Sequence, residues 1–477
     1  MQKITIAKGD GIGPEIMEAV IAVLEVAVPS FAYDEIEVGE RVYRSGVTSG
    51  IGPEAWAAIR RNKVLLKAPI TTPSGGGYKS LNVTLRKSLG LFANVRPSFS
   101  LHPYVATRHP KMNVVIVREN EEDLYAGIEH RQTEEVVQCL KLISRPGCER
   151  IVNYAFEYAL ANGRKKVTCF IKDNIMKQTD GLFHQVFKEI SHFYPTIQSE
   201  SRIVDIGTAL IASNPELFDV IVMPNLYGDV VSDVTAQLSG SVGLAGSANI
   251  GEHICMFEAI HGSAPDIAGK GMANPSGLLQ GAIMMLNHLG QQQVANTIQQ
   301  AWAVTLEKGI HTPDIYHPKR SKRKVSTMEF AAAIIDNLGR QPVHLQVPKF
   351  ENNQPIRIKK YQPAPKAEKK LKGVDVFVDF REIQPNELAK KMQQLNGEAA
   401  LTMITNRGVK VWPEGFEETF CTDHWRCRFE IPNGKALIHS AIPELLSKAI
   451  ASGIEVIKTE NLYEFDGVKS YSAGQGQ

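Results

Sequence analysis

The chain has 477 residues, 43% of them hydrophobic and 22% charged, a composition of soluble globular enzymes and a length too great for one ordinary core. A formal net charge of +2 gives no electrostatic footing for a nucleic-acid or membrane-surface partner. The cysteines, Cys139, Cys148, Cys169, Cys255, Cys421 and Cys427, form no CxxC pair or disulfide framework, which points to buried thiols in a reducing cytoplasm.

The N-terminus reads as a strand, since it lacks the long apolar core of a signal peptide. Over the first 338 residues short β-branched runs at 4–7, 64–68, 112–117, 167–171 and 220–223 predict buried strands. Helical patterns lie between them at 13–28, 150–161, 176–190, 276–289 and 293–308. This alternation predicts an α/β architecture. Residues 234–251 carry no charge but are rich in Ser, Gly, Gln and Asn, which excludes a membrane span. The next stretch, 339–372, carries Pro342, Pro348, Pro355, Pro363 and Pro365 among many lysines and reads as a solvated, semi-extended linker. Past it, strands at 374–378, 400–404, 409–412, 425–431 and 454–458 and helices at 386–395 and 442–451 give a βα-ββ(β)-αβ order, that of a ferredoxin-like α+β unit.

Several motifs carry chemistry. Gly9-Asp-Gly11-Ile-Gly13-Pro14 does not have the GxGxxG spacing of a dinucleotide fingerprint and reads as a tight strand-to-helix turn. Ser80 is placed to cap a helix that presents Asn82 and Arg86 on one face. With Arg96 and Arg118 following, these residues form a receptor for a small polycarboxylate, because the planar guanidinium binds carboxylates bidentately. Asp229 and Asp233, one helical turn apart, supply hard oxygen ligands for Mg²⁺ or Mn²⁺; acids complementing a helix dipole are the plainer alternative. Lys172 stands at a strand end, and residues 258–276 are a Gly- and Pro-punctuated loop with His261, suited to a nucleotide.

Together GDGIGPE, TTPSGGGYKSLNVTLR, NVRP, RENEEDLYAGIE, IKDNIMK, NLYGDVVSD and HGSAPDIAGKGMANP closely resemble the isocitrate dehydrogenase branch of the β-decarboxylating dehydrogenases, over about residues 1–338. The tail resembles that of extended bacterial members. The resemblance implies an isocitrate/isopropylmalate dehydrogenase-type two-subdomain α/β fold, with a large subdomain from 1–91 and 241–338. It assigns 92–240 to a small subdomain with a dimer clasp at about 129–147, and 373–477 to the C-terminal domain. It implies oxidative decarboxylation of isocitrate in the tricarboxylic acid cycle by a homodimer with shared active sites. By position it makes Arg86, Arg96, Arg118, Ser80 and Asn82 substrate ligands, and Asp229, Asp233 and Asp205 metal ligands, Asp205 from the neighbouring subunit. Tyr125, Lys172 and Asp205 become the acid–base groups, with Lys172 also reaching across. Lys67, Thr71, Thr72, His261, Gly262, Asp266, Ile267 and Asn274 line the cofactor.

At Asp266-Ile267, NADP-specific relatives carry Lys-Tyr, and an aspartate accepts hydrogen bonds from a ribose diol, so NAD is the expected cofactor. The basic run Lys319-Arg320-Ser321-Lys322-Arg323-Lys324 is either a solvated loop or a clamp for the 2′-phosphate of NADP. Sister activities on isopropylmalate, homoisocitrate or tartrate, and a non-catalytic regulatory subunit, are the alternative functions. For the C-terminal domain the readings are an oligomer contact or an effector sensor.

Overall fold

The computed structural model describes residues 2–72, 80–351, 356, 358, 360–381, 384–432 and 435–474. The Pro73 to Lys79 part of the TTPSGGGYK motif, and Pro355 of the linker, lie outside the described residues. The chain divides into two compact units, Met1–Ala126 with Lys141–Tyr361, and Gly127–Leu140 with Gln362–Gln477.

In the first unit the chain runs through β1 (Gln2–Ala7), α1 (Gly13–Ala27), β2 (Phe31–Ile36), α2 (Glu40–Arg44), α3 (Pro53–Asn62), β3 (Val64–Lys67) and α4 (Leu81–Ser88). It continues through β4 (Ala93–Phe99) and β5 (Asn113–Glu119); the hairpin β6 (Glu129–Arg131) and β7 (Val137–Cys139) that follows belongs to the second unit. Next come α5 (Arg145–Ala161), β8 (Lys166–Ile171), α6 (Thr179–Ser191), β9 (Gln198–Ile203), α7 (Val204–Ser213), β10 (Val220–Met223) and α8 (Asn225–Ser239). The unit ends with β11 (Gly246–Ile250), β12 (Cys255–Ala259), α9 (Ser276–His288), α10 (Gln292–Glu307), β13 (Ile310–His311), β14 (Arg323–Lys324) and α11 (Thr327–Asp336).

Ten of these strands form one sheet in the order β2-β1-β3-β12-β11-β4-β5-β10-β8-β9. Pairs at both ends are parallel, while β12–β11, β11–β4 and β4–β5 in the middle are antiparallel. One half draws its strands from residues 2–67 and 246–259, the other from 93–223. Helices pack apolar stripes, such as Ile16, Val20 and Val23 of α1 and Leu278, Ala282 and Ile283 of α9, into a common core with Val115 and Val117. The α5 helix starts five residues earlier than its apolar pattern predicts, because Ser144 caps it through the Gly147 amide and Pro146 occupies its first turn. The α6 helix starts at Thr179, three residues later than predicted.

The linker is less solvated than its composition predicts. Glu307 on α10 accepts the backbone N–H groups of Val343, His344 and Leu345, and Leu345 is buried in the main core. Asn296 bonds the Phe350 backbone through both its amide atoms, at 2.8 Å each.

The second unit adds β15 (Lys369–Asp379), α12 (Pro385–Gln393), β16 (Ala400–Asn406), β17 (Val409–Trp412), β18 (His424–Glu430), α13 (Ala441–Ala451), β19 (Glu455–Phe465) and β20 (Val468–Lys469). Its antiparallel sheet has the order β17-β16-β18-β15-β19-β20. With β18 between β15 and β16, this is the split βαβ of a ferredoxin-like unit, extended by β17 and β20. The β6–β7 hairpin segment joins it: the Thr133 hydroxyl donates to Asp423 at 2.5 Å, and Glu135 accepts the Asp423 amide at 3.0 Å. All six cysteines are free; five are buried as expected, but Cys139 lies exposed on β7, where its strand packs no core. Among the described residues no helix is long and apolar enough to cross a membrane.

Candidate active site

Strand alternation builds the floor of the site. On β4, Asn94 and Arg96 point to one face; on β5, Arg118, the residue before the strand's last, pairs with Asn94 and shares that face; α8 supplies Asn225, Asp229 and Ser232, and α4 supplies Arg86. Arg96 and Arg118 are fully buried, so each needs a complete set of acceptors. Arg96 donates to Asn94 at 2.6 Å and to Ser232 at 2.7 Å, and its charge faces Asp229 at 3.4 Å and Asp233 at 3.6 Å. Arg118 donates to Asn225 at 2.8 and 3.0 Å and pairs closely with Asp229. Its guanidinium also lies 4.8 Å from the centre of the Tyr125 ring. Gly228 permits this approach, since a Cβ there would stand 2.5 Å from the Arg118 stem.

Asp229 joins these groups to Tyr125, whose hydroxyl donates to it at 2.5 Å. Burial favours the protonated Asp229, but Arg118, Arg96 and the tyrosine hydroxyl outweigh it and hold the carboxyl below its ordinary range. Asp233, with weaker compensation, is pushed up by burial and by Asp229. The Tyr125 hydroxyl is raised by burial and therefore stays protonated at neutral pH.

A second buried ion cluster adjoins the first. Glu258 on β12 accepts from Lys67 at 2.7 Å, Arg86 at 3.0 Å and Asn249 at 2.8 Å. Burial alone would raise its carboxyl, but the Lys67 and Arg86 charges drive it far below the usual range. Arg86 and Arg96 influence each other and Arg118 electrostatically, so the three arginines share one basin of positive potential. Two buried side-chain atoms on α4, Arg86 Nε within that basin and Asn82 Oδ1 one helical turn before it, have no hydrogen-bond partner among the described residues. Ser80 caps α4 through the Val83 amide, as predicted, and its hydroxyl also receives a bond from Thr72 at 3.3 Å.

The Gly-rich turn is a tight strand-to-helix connection with Gly9 and Gly11 at positive φ. A Cβ on Gly11 would stand 2.0 Å from the Ser263 carbonyl oxygen, so only glycine fits there. Asp10 accepts the Thr71 amide at 2.9 Å, and Thr71 bonds Ser263 through its hydroxyl at 2.8 Å. Thr71, Thr72 and the 261–267 loop are thus one neighbourhood. His261 Nδ1 faces the Gly262 carbonyl at 3.0 Å, while its buried Nε2 has no partner among the described residues; burial lowers its pKa. Asn274 donates to Asp314 at 3.0 Å. Thr327 bonds the carbonyls of Gly271 and Ala273, so the segment after Asp314, with its basic run, borders the same loop. Asp266 and Ile267 occupy a short helical turn, Asp266 exposed.

Lys172 and Asp205 pair with each other at 2.9 Å, and Lys172 holds the Asp205 carboxyl below its ordinary range. Asp205 does not join Asp229 and Asp233: among the described residues no three His, Cys, Asp or Glu side chains form a metal-sized cluster. Asp229 and Asp233 nevertheless fit a hard divalent ion that draws its remaining ligands from water, substrate or a second chain. Sequence reasoning gave no role to Glu258, Asn94, Asn225, Ser232 or Asn249. A lone acid within the apolar run Cys255-Met-Phe-Glu-Ala259 was the available signal for Glu258, since such an acid demands a buried cation.

The model of the isocitrate/isopropylmalate dehydrogenases matches residues 3–334, and that of the bacterial isocitrate dehydrogenase C-terminal domain matches 369–477. The chain belongs to the isocitrate/isopropylmalate dehydrogenase family. It is 54% identical to an isocitrate dehydrogenase [NADP] of Rickettsia felis over 99% of both chains, and 42% identical to one of Thermus thermophilus over 99% of this chain and 96% of the other. A solved structure, the TT0538 protein of Thermus thermophilus, covers 100% of this chain with 96% of its own length at a TM-score of 0.94 and 42% identity. A 3-isopropylmalate dehydrogenase of Solanum tuberosum is 47% identical over 64% of this chain and 85% of its own.

These family members correct one expectation. NAD was expected from Asp266, but the full-length relatives are named for NADP. Asp266 is exposed, where water screens its charge and its side chain can turn away. The neighbouring Lys319, Arg320, Lys322 and Arg323 are exposed and make no ion pair among the described residues, so the local charge does not exclude a phosphate.

Proposed function

We propose that the protein catalyses the oxidative decarboxylation of isocitrate to 2-oxoglutarate with NADP and a divalent cation, the chemistry of the tricarboxylic acid cycle. The observation that carries this reading is the basin in which Arg86, Arg96 and Arg118 meet Tyr125 and Asp229, with Arg86 Nε and Asn82 Oδ1 left unpartnered. Three guanidinium groups match three carboxylates. Ser80 and Asn82 read the carboxylate that isocitrate has and an alkylmalate lacks.

Asp229 and Asp233, with Asp205 of a second copy, would hold Mg²⁺ or Mn²⁺. Lys67, Thr71, Thr72, His261, Gly262, Asp266, Ile267 and Asn274 would line the cofactor, and the Lys319 to Lys324 run would take its 2′-phosphate. When bound, the ion supplies a Lewis acid and the nicotinamide a hydride acceptor. The arginines fix the substrate and offset its charge in a water-poor site. Lys172 from the second copy takes the proton of the substrate hydroxyl. Tyr125, kept protonated by burial, delivers a proton to the carbon that loses CO₂. In this reading the active form is a homodimer, and residues 129–147 contribute to its contact. The 1–91/241–338 and 92–240 divisions are its two subdomains, followed by the linker and the C-terminal domain.

Initial rates with Mg²⁺ over isocitrate, 3-isopropylmalate, homoisocitrate and tartrate, each with NADP and NAD, test the proposal. Highest kcat/KM for isocitrate with NADP is expected. Preference for another acid moves the assignment to a sister activity, and no turnover with any pair moves it to a regulatory subunit.

A further inference from the structure

The strands that carry the arginine basin have a second face. On β4 and β11, Asn94, Arg96 and Asn249 serve the basin, while the alternate residues Val95, Ala248 and Ile250 line a separate cavity of about 1100 Å³. On β12, Glu258 faces the basin and its neighbour Phe257 the cavity. Tyr154 of α5 and Phe350 of the segment after α11 add aromatic walls. Two glutamines also line it, Gln280 on α9 and Gln299 on α10. Gln299 is 1% and Gln280 9% exposed, and three of their buried amide atoms, Gln280 Nε2 and both ends of Gln299, have no hydrogen-bond partner among the described residues. Unsatisfied buried amides are costly, because they give up water without gaining a partner, and a native interior keeps few of them without a use.

We propose that this cavity is a binding site for a small, planar, uncharged heteroaromatic compound of the purine base or nucleoside type. A glutamine amide offers a donor and an acceptor side by side, the pattern that pairs with the edge of such a ring, and aromatic walls accept its faces. Charge argues against a nucleotide. Arg164 at the cavity is already committed to Asp219 at 2.8 Å and to the carbonyl and side-chain oxygens of Asn113. Glu252 and Glu351 outnumber Lys349 among the remaining charged residues lining it. Because the walls come from both halves of the ten-stranded sheet, an occupant bears on the same strands that hold Arg96 and Glu258. The Asn296–Phe350 latch holds one wall in place. The site is independent of the reaction proposed above.

The test is saturation-transfer NMR of adenosine on the full chain, with saturating NADP present to fill the dehydrogenase nucleotide site. An adenosine signal that survives NADP and falls at least tenfold in affinity in both Gln299→Leu and Met284→Trp is expected. The first variant removes the unpaired amide, and the second fills the cavity from its wall. Circular dichroism and the isocitrate rate of each unliganded variant check that it folds, and either folded variant is sufficient to decide. Loss of the signal with NADP, unchanged binding in a folded variant, or tighter binding of AMP than of adenosine would overturn the proposal.

Discussion

Tyr125 is the residue whose role is most sharply testable. Its hydroxyl has one acceptor, Asp229 at 2.5 Å, and its ring is already held by the Arg118 face contact. Tyr125→Phe therefore removes a proton without moving the ring. Stability should fall by roughly 1.5–3 kcal/mol, the worth of one hydrogen bond to a charged acceptor. If Tyr125 is the acid, kcat should fall by about 10²–10⁴ with a small change in KM; a loss confined to KM would make it a binding group instead. Glu119, next to Arg118 on β5, gives a pH prediction. Burial pushes its carboxyl up to about 7, against the pull of the Glu121 and Glu122 amides. A group raised in the folded state contributes stability below its unfolded pKa of about 4.5 and loses it as pH rises through about 7. Glu119→Gln does not titrate, so its stability relative to the natural chain should improve by up to about 3 kcal/mol between pH 4.5 and 8, as read by urea denaturation at each pH.

At the scale of elements, Lys141 joins three pieces of the site. Its ammonium lies 2.7 Å from Asp180 and 3.3 Å from Asp123, both fully buried, and 4.8 Å from the Tyr227 ring centre. Asp180 accepts the Lys172 amide at 2.7 Å; Asp123, just before Tyr125, accepts the Leu226 amide that opens α8 at 2.9 Å. Among the described residues neither Oδ1 atom has an aligned hydrogen bond, so Lys141 serves them as a charge. Lys141→Met should cost about 3–5 kcal/mol by stranding two carboxylates. Adding Asp180→Asn should cost less than the sum of the single changes, as a double-mutant cycle in urea would report. Nothing in the sequence around Lys141 announces this role, because the partners lie 18 and 39 positions away. The elements with strong local signals were legible: Pro14 opening α1, Ser80 capping α4, the buried apolar strands β5, β8 and β10. Strands β15 and β19 reach eleven residues each, longer than predicted. The added segments, Lys-Lys-Leu-Lys-Gly at the start of β15 and Thr-Glu-Asn-Leu-Tyr-Glu-Phe at the end of β19, lack a sustained apolar alternation, and pairing with each other extends the strands. The arginines and aspartates of the site were legible as residue types; Glu258 had its signal as a lone acid in an apolar run, but its partners Lys67 and Arg86 became identifiable only when β12 was set beside β3.

For the whole molecule, the decisive question is where the first unit ends. Composition places its end near residue 339, but the contacts extend it to Tyr361. Glu307 is satisfied by three amides from 343–345, Leu345 is 7% exposed, and Val347, Phe350, Ile356 and Ile358 pack against the main core. A chain ended at residue 340 leaves the Glu307 carboxylate without those donors and uncovers that apolar surface. A chain ended at residue 361 keeps both. Each truncation removes the second unit's sheet equally, so that loss cancels in the comparison. Burying a large apolar side chain contributes roughly 1.5–3 kcal/mol, and the amides on Glu307 add further hydrogen bonds to a charged acceptor. The longer truncation product should therefore unfold at a Tm several degrees above the shorter one, as differential scanning calorimetry would measure. Equal Tm values would mean that residues 341–361 contribute no stability of their own, and that the composition-based boundary at residue 339 describes the folding unit better than the contacts do.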